Sequence, residues 1–184
     1  MARKKTIMKS SILDTAYEVV RKEGFDGFTA RNIAKEMNCS TQPIYLEFKN
    51  MNDLKRELII RIKAHLTETI YTQERTEHPV LNDALNYLYF AKEESTFFKA
   101  LYLENRLDAK KVYTISRDVV LDSFNEVSET KELTEKEKEK VFGLFWSSVH
   151  GGASFIAQEL VPFHEEDLIQ YLNQAFQTSI KLVQ

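Results

Sequence analysis

The hydrophobic positions of this chain recur every three to four residues along most of its length, which is the spacing of amphipathic α-helices. Only 5 Gly and 3 Pro interrupt the 184 residues, and this scarcity favours long helices over sheets. The pattern predicts an all-α chain of about nine helices. Two short helices are expected within residues 29–50, and the others at 5–22, 51–74, 80–92, 96–105, 110–126, 135–160 and 165–183.

Residues 29–54 are the most informative segment, because their pattern predicts two short helices joined by a tight turn. The hydroxyl of Thr29 can cap the first helix, and Asn38 suits the turn because Asn tolerates a left-handed backbone. Ser40 is expected to cap the second helix, with Pro43 in its first turn, where a missing N–H costs little. This is the helix-turn-helix plan, whose second helix enters the DNA major groove. The segment therefore predicts a DNA-binding module.

The spacing of particular residues around this motif carries a family resemblance. The residues that carry it are Ile12–Ala16, Gly24, Phe25, Phe28, Thr29, Ile33, Ala34, Ser40, Ile44, Tyr45, Phe48–Asn50 and Leu54. Over roughly residues 8–56, the chain resembles the N-terminal domain of TetR-like (tetracycline-repressor family) transcriptional regulators. The resemblance implies a three-helix DNA-binding domain at residues 1–50 and a helical ligand-binding and dimerisation domain at residues 51–184.

The predicted DNA contacts lie in and around the two short helices. They are Thr29, Arg31, Ser40, Thr41, Gln42, Pro43, Tyr45 and Lys49. Gln42 can form two hydrogen bonds with an adenine edge, whereas Tyr45 and Lys49 can donate to phosphate oxygens. The alternatives are a Gln42 that is merely solvated and a Tyr45 that packs at the edge of the core.

The distribution of charge supports double-stranded DNA as the partner, although the whole chain has a net charge of −3. Residues 1–56 hold 11 Lys and Arg against 7 Asp and Glu, whereas residues 57–184 hold 14 against 21. The positive field is therefore concentrated at one end, as expected when one domain meets phosphates. Arg3, Lys4, Lys5 and Lys9 form a candidate basic arm, or a solvated tail.

The last two predicted helices are expected to form the dimer interface. The helix at 135–160 is apolar around most of its circumference, which indicates burial on most sides, and the helix at 165–183 has a matching apolar stripe. By resemblance, they form a four-helix dimer bundle. The predicted interface residues are Phe145, Val149, Phe155, Leu172, Phe176 and Ile180.

Aromatic residues in the C-terminal region suggest an effector pocket, since ligand sites are largely apolar with a few polar groups. The candidates are Tyr87, Phe90, Tyr102, Phe124, Phe142 and Trp146, with Asn105, Arg106 and His150 as conceivable polar contacts. The alternative for each aromatic residue is an ordinary place in the core.

Other functional classes find little support in the sequence. The four histidines lack metal-ligand spacing, and neither a Gly-rich phosphate loop nor a nucleophile elbow is present. No cofactor, metal or catalytic residue is expected, and no apolar run approaches the roughly 18 residues of a membrane span, so a cytoplasmic protein is predicted.

The sequence therefore predicts a homodimeric repressor that binds a palindromic operator and is released by a small-molecule effector. The alternative is a protein-interaction adaptor on the same fold, which the unusual pair Leu46 and Glu47 and the acidic net charge keep open.

Overall fold

The structure, a computed structural model, describes residues 7–104 and 106–184, and all regular structure within them is helical. The prediction of an all-α fold with about nine helices is confirmed. The helices are α1 (Lys9–Glu23), α2 (Ala30–Glu36), α3 (Gln42–Glu47), α4 (Met51–His65), α5 (Pro79–Glu93), α6 (Ser95–Tyr102), α7 (Ala109–Phe124), α8 (Glu135–Ala157) and α9 (Glu165–Lys181), with a π-helical segment (Leu66–Ile70) after α4.

The chain divides into two compact units, an N-terminal unit of Met1–Ala64 and a C-terminal unit of His65–Gln184. The expected domain division between residues 50 and 51 stays a prediction. The expected basic arm at Arg3, Lys4 and Lys5 and the possible polar contact Asn105 lie outside the described residues.

Helix α1 begins at Lys9 rather than at the expected Lys5, because Met8 has extended backbone (φ −93°, ψ 152°). It ends at Gly24, which has a positive φ of 69° and donates its backbone N–H to the carbonyl of Val20. Glycine is favoured at such a position because a Cβ would be strained there. The predicted stop of this helix at Gly24 is therefore confirmed.

The core of the N-terminal unit is formed by the inner faces of α1, α2 and α3 and by the start of α4. Its buried members are Ile12, Ala16, Val19, Ala30, Ile33, Ala34, Ile44, Phe48 and Leu54. Helix α2 contributes three of these residues, and α3 contributes Ile44, with Phe48 directly after its end. The helices are thus held in place by tertiary packing, since isolated helices of six or seven residues are unstable in water.

Helix α4 changes geometry near its end. The sequence predicts one helix from Met51 to about Glu74, with apolar residues at a constant four-residue step. In the structure, the α-helix ends at His65 and a π-helical turn completes the helix at Ile70. A four-residue step drifts by about 40° per step around an α-helix, and a wider turn reduces that drift.

Helix α5 is the centre of the C-terminal unit, where it packs against α6, α7, α8 and α9. Ten of its fifteen residues are buried, so it is enclosed on most sides. Helix α8 begins with the predicted capping box, in which Thr134 accepts from the backbone of Glu137 and the Glu137 carboxylate accepts in return. It ends at Ala157 instead of the expected Leu160, because Glu159 takes a positive φ of 58°.

Candidate functional site

The turn between α2 and α3 is fixed by backbone geometry that the sequence favours. Thr29 caps α2 by accepting a hydrogen bond from the backbone N–H of Asn32 at 3.1 Å. Asn38 has a positive φ of 51°, which confirms the prediction that it supplies the left-handed turn residue. The N–H groups of Asn38 and Cys39 then donate to the carbonyls of Lys35 and Ala34, both at 3.0 Å. This pair of bonds is a Schellman motif, which ends α2 sharply.

The start of α3 differs from the sequence prediction. Thr41, not Ser40, is the residue that precedes the helix, and its side chain makes no capping hydrogen bond. Pro43 lies in the first turn as predicted; since it has no N–H, this turn has one donor fewer to satisfy. The helix is held instead by two buried residues, Ile44 and Phe48, each 1% exposed.

The other side of α3 faces solvent. Gln42, Tyr45 and Leu46 are exposed, with Tyr45 at 53% and Leu46 at 76% of their full accessible surface. An exposure of this size argues against the alternative in which Tyr45 is a core-edge aromatic. The remaining predicted DNA contacts are also accessible: Thr29, Arg31, Ser40 and Lys49 are exposed, and Thr41 and Pro43 are half-buried.

The basic residues of the N-terminal unit fall into two groups. Lys9 and Arg61 form ion pairs with Glu57 and Asp14, at 3.1 and 3.4 Å. Within the described residues, neither Arg31 nor Lys49 has an ion-pair partner within 4.0 Å. These two side chains can therefore meet phosphate without first breaking an ion pair.

The carboxylate of Asp53 stabilises the backbone between α3 and α4. Its carboxylate accepts the backbone N–H of Lys49 at 3.1 Å and a hydrogen bond from Arg56 at 2.8 Å. The bond from the Lys49 backbone, together with Arg56, lowers the pKa of the Asp53 carboxyl. The carboxylate therefore fixes the backbone of Lys49, while the exposed Lys49 side chain extends from that fixed point.

A cavity of about 260 Å³ lies within the C-terminal unit, between α5, α6, α7 and α8. We call it the aromatic cavity, and it is lined by Tyr87, Leu101, Tyr102, Tyr113, Gly143, Trp146, Ser147 and His150. Tyr87, Tyr102 and Trp146 were among the predicted pocket residues. His150 was a conceivable polar contact, and Leu101, Gly143 and Ser147 were missed because small or aliphatic residues give no distinctive signal in a helical pattern.

The other three predicted pocket residues, Phe90, Phe124 and Phe142, belong to the packed core. They are at most 2% exposed and do not line the aromatic cavity. Phe142 packs behind the cavity wall, where its ring stacks on that of Trp146 with the centroids 5.6 Å apart. The periodic pattern cannot separate these two groups, because a wall residue and the residue behind it are both apolar and both helical.

A chain of hydrogen bonds leads from the aromatic cavity to the end of the π-helical segment. The Tyr87 hydroxyl and Nδ1 of His150 are hydrogen-bonded at 2.8 Å, and the hydroxyls of Tyr102 and Ser116 at 3.1 Å. Tyr71, the residue after the segment, donates to the Ser116 hydroxyl at 2.8 Å. Burial raises the pKa of Tyr102 to about 12 and lowers that of His150, so these groups are neutral near pH 7.

Five of the six predicted dimer residues lie inside the C-terminal unit. Phe145, Val149, Leu172 and Phe176 have no exposed surface and Ile180 has 6%, so their apolar stripe packs in the core of their own subunit. Phe176, for example, contacts the ring of Phe145 with centroids 5.3 Å apart. This placement corrects the sequence interpretation, because burial of these residues needs no partner. Phe155 is the exception, with 52% of its surface exposed.

A different stripe faces outward on each of the last two helices. It consists of Leu144, Ser148, Gly151 and Phe155 on α8, and of Tyr171, Ala175, Thr178 and Leu182 at the same spacing on α9 and at its end. Leu144, Tyr171 and Leu182 are 43%, 45% and 70% exposed. A shallow groove runs between the two stripes and is lined by residues of both. We call this surface the outer α8–α9 face.

Comparison with known proteins shows what this arrangement is similar to. Residues 12–58 match the sequence model of the family described as bacterial regulatory proteins, tetR family. The chain is also 23% identical over 175 residues to the HTH-type transcriptional regulator YobS of Bacillus subtilis (strain 168), covering 94% of this chain and 90% of that protein.

Two solved structures share the fold. A TetR family regulator from Vibrio parahaemolyticus superposes with a TM-score of 0.66 at 16% identity, covering 92% of this chain and 96% of that one. A tetR-family regulator from Mesorhizobium loti MAFF303099 gives a TM-score of 0.61 at 13% identity, covering 94% and 95%. Residues 12–58 are therefore similar to the DNA-binding segment of the tetR family, and the whole chain shares the fold of these two regulators.

Three further observations concern other functional classes. The family whose model matches residues 12–58 consists of transcriptional regulators rather than enzymes. Across the part of the chain that the structure describes, no three His, Cys, Asp or Glu side chains are grouped as metal ligands. In the same residues, none of the helices combines the length and apolar character that crossing a bilayer requires.

Proposed function

We propose that the protein is a cytoplasmic homodimeric repressor that binds a palindromic operator and releases it when a small molecule occupies the aromatic cavity. The observation that carries this proposal is the cavity itself, which lies in a unit separate from the DNA-binding domain. A regulator that responds to a ligand needs two distinct sites whose occupancies are coupled. No catalytic role is part of the proposal.

Base reading is assigned to the exposed front of α3. Gln42 is exposed and can form two hydrogen bonds with adenine, and Thr41 and Pro43 can contact a thymine methyl group. Thr29, Arg31, Ser40, Tyr45 and Lys49 are assigned to phosphate or base-edge contacts around them. The support for this assignment is their exposure, together with the burial of Ile44 and Phe48, which fixes the direction that α3 presents to solvent.

The dimer is assigned to the outer α8–α9 face. Its support is the shared spacing of the two apolar stripes and the small residues Ser148, Gly151 and Ala175 between the larger ones, which allow helices to approach closely. A two-fold dimer presents two identical recognition helices. It therefore favours a palindromic operator with half-sites about 34–36 Å apart or a multiple of that distance.

Coupling between ligand and DNA is assigned to the chain that joins the two units. Helix α4 leads without a break into the π-helical segment, and Tyr71 follows directly. Tyr71 is connected through Ser116 to Tyr102 in the cavity wall. A ligand that changes these hydrogen bonds acts on the end of that helix, and a coupling free energy of about 1–3 kcal/mol is typical of such systems.

The test begins with selection and sequencing of genomic DNA bound by the purified protein, followed by titration of the selected fragment and of random DNA. Gln42→Ala should weaken binding to the selected fragment by about 1–3 kcal/mol and leave random DNA nearly unchanged. Gln158→Ala, the same substitution in the C-terminal unit, is the matched control and should change neither. Equal losses of affinity for the selected fragment and for random DNA would show that Gln42 does not contact bases.

The same experiment separates the repressor from the adaptor alternative. An adaptor that has lost operator binding should select no common sequence at low salt. Recovery of an enriched palindrome would contradict the adaptor, whereas its absence would contradict the proposed function.

A further inference from the structure

We propose that the aromatic cavity takes an uncharged, flat ligand of about two fused rings that carries a single hydroxyl group. This inference rests on the proposed function, because it names the chemical class of the effector.

The shape of the ligand follows from the walls of the cavity. Four of the eight lining side chains are aromatic, and the ring of Tyr87 lies 4.9 Å from that of Trp146 and 5.1 Å from that of Tyr102. Aromatic groups pack well against other rings in offset or edge-to-face arrangements. The volume of about 260 Å³ is below the roughly 300–1,000 Å³ of pockets for drug-sized ligands, which limits the ligand to about two rings.

The ligand is inferred to be uncharged from the side chains that line the aromatic cavity. Among the described residues that line the cavity, none is Lys, Arg, Asp or Glu. Burial raises the pKa of the Tyr87 hydroxyl well above its usual value and lowers that of His150, so neither carries a charge near pH 7. The cavity opens to solvent beside Tyr113, Gly143 and Ser147, so an ion entering it would lose part of its hydration without gaining an opposite charge, which is costly. Aromatic rings do attract cations, so a flat cation is the competing ligand in the test.

The single hydroxyl group of the ligand is inferred from the hydrogen bonding of His150. Nδ1 of this ring is hydrogen-bonded to the Tyr87 hydroxyl, so Nε2 is the nitrogen available to a ligand. A neutral imidazole offers Nε2 as a donor or as an acceptor according to its tautomer. A hydroxyl group can satisfy either form. The nearby Ser147 hydroxyl already donates to the carbonyl of Gly143 at 2.7 Å.

Gly143 is a position at which the cavity can be obstructed without a clash in the core. It lies on α8 in the cavity wall, and a Cβ added there would meet no other atom within 4 Å. Because Gly143 lines the cavity and is itself exposed, we expect a larger side chain at this position to occupy part of the cavity mouth. Replacing glycine inside a helix also removes an unfavourable backbone term. Gly143→Leu should consequently fold while leaving too little room for two rings.

The experiment is isothermal titration calorimetry on the full chain with three flat bicyclic probes. These are 2-naphthol, which is uncharged, 2-naphthoate, which is an anion, and N-methylquinolinium, which is a cation. We expect 2-naphthol to bind at one site per chain, at least tenfold more tightly than either ion. Gly143→Leu should abolish this binding. His150→Phe should weaken it about five- to tenfold through the lost hydrogen bond.

His164→Phe is the matched control, because His164 is exposed before α9 and outside the cavity; it should leave binding unchanged. Thermal unfolding of each variant checks that it is folded. Tighter binding of either ion, or no binding of 2-naphthol, would overturn the ligand class. Equal binding by Gly143→Leu would place the ligand elsewhere. A different result would contradict the proposed function itself, namely the absence of sequence-selective DNA binding by the wild-type protein.

Discussion

Phe155 offers the sharpest test of the dimer, because it is a large apolar side chain on the outer α8–α9 face and not in the core. It is 52% exposed in the single chain, whereas its neighbours on the inner side of α8, Phe145 and Val149, have no exposed surface. Truncation to alanine should therefore leave the folded subunit intact. If two copies of this face meet, the same truncation removes apolar surface that association would bury.

The magnitude can be worked from the exposed fraction. A phenylalanine side chain buries roughly 150–250 Å², so a 52% exposed ring offers on the order of 100 Å² to a partner. At about 25 cal/mol per Å², this area is worth roughly 2.5 kcal/mol, of which alanine would recover only a small part. Two-fold symmetry doubles the loss. Phe155→Ala should weaken the dimer by about 4 kcal/mol, or roughly 1,000-fold in the dissociation constant.

Sedimentation equilibrium over a range of protein concentrations measures this constant directly. Ile60→Ala is the matched control, because Ile60 is an apolar residue on α4 that is 67% exposed and lies outside the face. It should leave the dissociation constant unchanged. A wild-type protein that is monomeric at micromolar concentration would refute the reasoning, and so would a Phe155→Ala variant with the wild-type constant.

Phe176→Glu, which the sequence pattern alone suggests as a test of the dimer, would not serve this purpose. Phe176 has no exposed surface and contacts the rings of Phe145 and Phe124 at centroid distances of 5.3 and 5.7 Å. A carboxylate placed there would be buried without a partner and would unfold the subunit. Loss of association would then report on folding and not on the interface.

The remaining predictions concern phosphate contacts and the pH dependence of stability. Lys49→Ala should weaken binding to specific and random DNA alike and reduce the slope of log affinity against log salt by about one; titrations at several salt concentrations with an unchanged slope would contradict a phosphate contact. Burial raises the pKa of Asp83 from 3.8 to about 7, opposed by the hydrogen bond it accepts from Ser123. Between these values only the folded state holds the proton, so the free energy of unfolding should fall by about 3 kcal/mol between pH 5 and pH 8. Asp83→Asn should remove this fall, and urea unfolding at pH 5 and pH 8 measures it; equal pH dependence in both proteins would contradict the assignment.

Local features of the fold could be predicted because they depend on residues close together in the chain. The cap at Thr29, the left-handed turn at Asn38, the stop at Gly24 and the capping box at Thr134 each satisfy backbone groups within one turn of helix. The helix-turn-helix segment is built from such features, and its position could therefore be predicted from the sequence. The start of α3 was the exception, because it depends on Ile44 and Phe48 reaching the core rather than on a side-chain cap.

The side of each of the last two helices that meets the core could not be predicted in the same way. Helix α8 has apolar residues on most sides, and periodicity alone does not say which side meets α5 and which meets solvent. One signal could have helped: the stripe from Leu144 to Phe155 and that from Tyr171 to Leu182 share the same spacing and include small residues.

The sequence by itself determined the helical class, the caps and turns, and the similarity of the DNA-binding segment to the tetR family. Only the tertiary structure decided that Tyr87, Tyr102 and Trp146 line a cavity while Phe90 and Phe142 fill the core. The physical reason is that helix formation and capping depend on neighbours within about four residues. A cavity wall, by contrast, depends on how four helices far apart in the sequence pack around a space that none of them encodes alone.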